Sequence, residues 1–131
     1  MSDDRFTGPT SWITYRGGMG MALWALHRAA GLGILLFLAL HIVDIFLLGF
    51  GEEVFNELLV IYTSPWARVM EVFLLFGVLF HALNGLRIIL QDFFTEAMGA
   101  HDTLVKIELV VFAVVFLPCA WLMLKPLFAA G

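Results

Sequence analysis

Three stretches of this chain are long and apolar enough that water cannot be their solvent. They run over about residues 29–50, 69–90 and 104–124, and each matches the ~20 residues that a helix needs to cross a hydrocarbon layer about 30 Å thick. The balance of the chain agrees, because 62% of its 131 residues are hydrophobic and only 14% are charged. Soluble domains run nearer to about 45–50% apolar and about 25% charged. The sequence therefore predicts an all-α integral membrane protein. It is read as a single domain over 1–131, with three transmembrane helices and a polar N-terminal arm over 1–20.

The connecting segments fit that plan. Gly8-Pro9 and Gly17-Gly18 mark the arm as irregular, and no basic stretch leads into a short apolar core, so no cleavable signal peptide is expected. Met21 to Arg28 reads as an interfacial lead-in to the first span, with Trp24 at a depth that suits an indole. The partly acidic segment from Gly51 to Pro65 predicts a short surface helix ending before Ser64-Pro65. Phe93 to Thr103 reads as a loop carrying Glu96, Gly99, His101 and Asp102, with His101 at the surface. Pro118 is expected to kink the third span, and Lys125-Pro126 to mark its exit. The lone Cys119 can form no intrachain disulfide and reads as packing.

Net charge is −4 and the seven Lys and Arg are scattered, which gives no footing for nucleic acid. Their distribution bears on orientation instead. Arg5, Arg16, Arg28, Arg87 and Lys106 fall on one side of the membrane, Arg68 and Lys125 on the other. The excess predicts a cytoplasmic N-terminus.

Ionisable groups inside a span are expensive and mark a site by default. The sharpest case is Phe80-His81-Ala82-Leu83-Asn84-Gly85-Leu86-Arg87 in the second span. Gly77 and Gly85 lie four residues to either side of His81, on its own helical face. A flat ring such as a porphyrin could approach that bare strip closely, with the imidazole reaching its iron. The same residues also read as a small-xxx-small packing seam with His81 bonded to a neighbouring helix.

Arg87 lies about 9 Å nearer the cytoplasmic surface than His81. It could meet a haem propionate or a quinone carbonyl, or simply anchor at the interface. His27-Arg28 stands at the entrance of the first span, which sets Arg28 and Arg87 at similar depth around an anionic or carbonyl-bearing ligand. His41 lies about 20 Å beyond Arg28, in the outer half, where Asp44 could hold its second ring nitrogen. Histidines at two depths suit two stacked cofactors better than one.

The string Leu26-His27-Arg28-Ala29-Ala30-Gly31, followed by His81 to Arg87 and then Asp92, resembles the cytochrome b membrane-anchor subunit of succinate dehydrogenase (complex II). That family opens its first helix with H-R-x-[ST]-G and carries H-x-x-x-G-x-R-H-x-x-x-D in its second. The resemblance covers about residues 15 to 92. It implies that His81 ligates haem b, and that Arg28 lies near the quinone and the propionates with His27 beside it. Arg87 and Asp92 match the end of the second motif. Ala30 stands where the family usually has Ser or Thr, and Ile88 replaces its second histidine. Trp24 takes the place of a quinone-contacting serine found in some members. Leu40-His41-Ile42-Val43-Asp44 resembles the variant that binds two haems.

The function so implied is electron transfer from succinate to quinone in a prokaryotic inner membrane, with no substrate chemistry by this chain alone. Cofactors are haem b, with His41 as candidate ligand of a second, and quinone as substrate. Partners are a second membrane-anchor subunit supplying the other axial histidine, an iron–sulfur subunit and a flavoprotein subunit. Bis-His ligation leaves no open iron position, as electron transfer requires. The rivals are a haem-free structural anchor and a small transporter using His41 and Asp44 as a proton relay.

Overall fold

Residues 18–94 and 99–129 are described by the computed structural model; the expected arm, except its last three residues, and Glu96 lie outside them. The chain forms helices α1 (Met19–Leu48), α2 (Glu52–Tyr62), α3 (Pro65–Phe93) and α4 (His101–Ala129). Three of them, α1, α3 and α4 as far as Phe128, are long and apolar enough to cross a membrane. The protein is a multi-pass membrane protein, as expected.

The lead-in and the first span are one uninterrupted helix of 30 residues, about 45 Å long at 1.5 Å per residue. Nothing between Met21 and Arg28 breaks a helix, and its Ala, Leu and Met favour one. Gly49 and Gly51 then turn the chain. Gly51 has φ 121°, a conformation that a side chain would strain.

The acidic pair Glu52 and Glu53 opens α2, where negative charge complements the helix dipole. At its end the Thr63 hydroxyl donates to the carbonyls of Leu59 and Val60. Ser64 caps α3, its Oγ accepting the Ala67 N–H at 3.2 Å, with Pro65 in the first turn. Helix α4 continues through Pro118 and Pro126, and it begins three residues before the expected start of the third span.

Helix α3 is the centre. It packs along both α1 and α4, while α2 folds back against α1 and α3. Leu23, Phe80 and Val105, one from each long helix, form the buried cluster, with Ala30, Phe76 and Phe112 against it. Phe76, Phe80, Phe112 and Phe116 continue it as an aromatic ladder with centroid spacings of 5.1–6.2 Å. Most other large apolar side chains face outward. In water that surface would aggregate; against lipid and neighbouring helices it is the expected exterior.

Candidate functional site

His27 lies two turns into α1. Its imidazole stacks on that of His81 across the α1–α3 contact, with centroids 3.9 Å apart and planes 9° from parallel. His81 Nδ1 lies 3.1 Å from the backbone oxygen of His27. A carbonyl oxygen can only accept, and has two lone pairs, one of them beyond its helix bond. Nδ1 therefore carries the proton, and in the neutral ring Nε2 keeps a free lone pair.

Glycines allow this approach. A Cβ on Gly31 would lie 2.9 Å from Cε1 of His81 and 3.3 Å from its Nδ1. On the other helix, a Cβ on Gly85 would lie 3.5 Å from Cε1 of His27, an ordinary contact. Each histidine thus rests over a glycine of the opposite helix. Gly77, expected to flank His81, faces open space. The bare surface under the imidazole is supplied chiefly by Gly31 of α1.

Arg28 and Trp24 are brought together. The guanidinium lies over the indole, 4.3 Å from the ring centroid, a cation–π pair one turn apart on an exposed face of α1. Arg87 does not join them. Its guanidinium is turned to α4, where Nε donates to Glu108 Oε2 at 2.7 Å, and both side chains are buried. Nη2 donates to Asn84 Oδ1. Nη1 lies 3.4 Å from Gln91 Oε1 and 3.3 Å from His101 Nδ1. Arg87, expected to face a ligand together with Arg28, has Glu108 as its partner. Glu108 is a carboxylate at the same depth, and an arginine in apolar surroundings takes the partner that neutralises it. His101, expected on a surface loop, opens α4 half-buried, its Nδ1 3.0 Å from Gln91 Nε2. Asp92 is exposed.

His41 is exposed and stacks on Phe37, with centroids 5.5 Å apart. Asp44 does not hold its ring as expected. The Asp44 carboxylate accepts the Tyr62 hydroxyl instead, because α2 folds back over this end of α1. That hydrogen bond, and to a lesser degree burial, pushes the Tyr62 phenol above its usual pKa. His41, Asp44, Tyr62, Trp66 and Glu71 line a cavity of about 600 Å³ between α1, α2 and α3.

Sequence reasoning missed Glu108, Asn84 and Tyr62. For Glu108 the signal was available, since it is an acid well inside the third span and falls under the rule that singled out His81. Asn84 and Tyr62 carry no such signal; only the packing of α3 on α4 and of α2 on α1 gives them partners.

The three long helices define a multi-pass membrane protein whose α1–α3 seam carries a stacked histidine pair. Residues 9–121 match the family model described as the succinate dehydrogenase/fumarate reductase transmembrane subunit, and the chain belongs to that family. It is similar to the succinate dehydrogenase 2 membrane subunit SdhC of Mycobacterium tuberculosis, with 44% identity over 82 residues. The match covers 63% of this chain and spans 60% of the length of that relative.

Proposed function

We propose that this chain is the cytochrome b membrane-anchor subunit of a succinate:quinone oxidoreductase, holding one haem b through Nε2 of His81. The observation that carries this reading is the Nδ1 contact of His81 with the His27 carbonyl. Ligating histidines commonly donate their other ring N–H to a backbone carbonyl, which fixes both tautomer and orientation. The residues fit haem in a second respect. The Gly31 backbone backs the imidazole at a distance that a side chain would forbid, so the ring is held on two sides. His81, with a histidine from a partner subunit, would hold haem b, which would supply a one-electron redox centre.

The remaining roles belong to this chain's own side chains. Arg28, steadied by the Trp24 face, donates hydrogen bonds to a quinone oxygen and to anionic groups at the cytoplasmic end. His27 buttresses the ligand ring. Arg87, paired with Glu108, serves the haem indirectly by tying α3 to α4. A second haem on His41 is less well supported, since Asp44 and Glu71 share its cavity and carboxylates there would repel propionates. The complex is completed by a second anchor, an iron–sulfur subunit and a flavoprotein subunit in a prokaryotic inner membrane.

A pyridine haemochrome assay on the purified complex tests the assignment. His81→Ala should lose the haem and His41→Ala should retain it; loss in His41→Ala would add the second haem. The competing reading is a haem-free anchor, favoured by the His27–His81 stack as interhelical packing. It expects no haem in any of the three proteins.

A further inference from the structure

At the end of the bundle opposite Arg28, helices α1, α2 and α3 enclose a cavity of about 600 Å³. Small-molecule sites commonly measure about 300–1,000 Å³. Two carboxylates line it, Asp44 from α1 and Glu71 from α3. Asp44 comes four residues before the end of α1 and Glu71 six after the start of α3, which sets them about 6 Å and about 9 Å inside those helix ends. A bilayer about 40–45 Å thick has a hydrocarbon core of about 30 Å, so each headgroup layer is about 5–8 Å deep. Both carboxylates thus lie where headgroups give way to acyl chains.

The lining selects its ligand by sign. Anionic lipid headgroups are held by clusters of Lys and Arg, and among the described residues neither type lines this cavity. Asp44 accepts the Tyr62 hydroxyl, which fills only one of the acceptor positions of a carboxylate. Carboxylates at this depth are stabilised by a cation. The rings of Tyr62 and Trp66 in the same lining attract a cation over their faces.

Entry is from the lipid. Phe37 of α1 and Met70 of α3 line the cavity, yet are 40% and 42% exposed. The space therefore opens sideways to the hydrocarbon, which a water-soluble amine does not cross. A Lys or Arg side chain from a neighbouring helix would meet the carboxylates but leave most of the volume empty. A lipid fills it with a headgroup and an acyl chain. We propose that this cavity binds a phospholipid with a primary ammonium headgroup, of the phosphatidylethanolamine type. Its three N–H groups donate to Asp44 and Glu71, and a chain lies along Phe37 and Met70. Arg68, three residues before Glu71 and its neighbour on the surface of α3, is nearer the helix end, at the level of the phosphate. The site is about 24 Å along α1 from Arg28, and it stands whether or not His81 carries haem.

Native mass spectrometry of the whole purified complex tests this, after delipidation and addition of dioleoylphosphatidylethanolamine or dioleoylphosphatidylglycerol at equal concentration. The expected result is one retained ethanolamine lipid, bound at least about tenfold more tightly than the glycerol lipid, as loss of charge-assisted hydrogen bonds implies. Asp44→Asn with Glu71→Gln, which keeps both side-chain shapes, should abolish that preference. Equal retention of the two lipids, or a preference that survives the double variant, would overturn the proposal. So would a partner subunit's basic side chain seated between Asp44 and Glu71 in a map of the complex. If the double variant fails to assemble, Glu71→Gln alone serves, since Glu71 is exposed; it should lose part of the preference, and no loss would count against the site.

Discussion

Gly31 is the residue on which the His81 geometry turns. Alanine is normally better than glycine inside a helix by about 1 kcal/mol, but here its Cβ would meet the His81 ring at 2.9 Å. The ring sits over helix backbone and cannot simply swing aside without losing its carbonyl partner. Gly31→Ala should therefore lose more than half of the haem in a haemochrome assay, with the subunit still assembled. Gly33→Ala, where a Cβ meets nothing within 4 Å, should keep all of it.

At the other end of α1, Tyr62 offers an independent check. Its folded pKa is raised by the Asp44 hydrogen bond. Its contribution to stability is thus complete below the unfolded value near 10 and is lost as pH rises through the folded one. In a Tyr15→Phe background, ultraviolet titration should find the Tyr62 midpoint above that of free tyrosine, and Asp44→Asn should bring it back down.

The three long helices were legible because continuous apolar length needs no tertiary information; their contents were legible only in part. His81 announced itself as an ionisable group with glycines around it. The helix that receives it was not readable, because the identity of the cradling glycine depends on how α1 and α3 cross. Arg87 reads from sequence as facing a ligand or anchoring at the interface, and only the packing of α3 on α4 shows Glu108, 21 residues away in sequence, as its partner. The α3–α4 seam can be tested as a unit. Glu108→Leu strands a buried guanidinium and should destabilise the subunit by about 3–5 kcal/mol. Arg87→Met with Glu108→Leu should recover most of that loss. Thermal denaturation of the detergent-solubilised complex measures both. At the head of α3, Ser64→Ala removes the cap on Ala67 and should cost about 1 kcal/mol.

Taken whole, the chain buries a narrow seam and leaves most of its large apolar side chains outward. That distribution suits a subunit whose remaining surface is covered by lipid and by other subunits, and it fits membership of the succinate dehydrogenase/fumarate reductase transmembrane family. The central claim is that His81, oriented by the His27 carbonyl, is a haem ligand. Its most direct test is the reduced-minus-oxidised visible spectrum of the purified complex. The account predicts a b-type Soret and α-band change that vanishes in His81→Ala while the subunits still co-purify. A wild-type complex with no such change, or a His81→Ala complex that keeps it, would contradict the account.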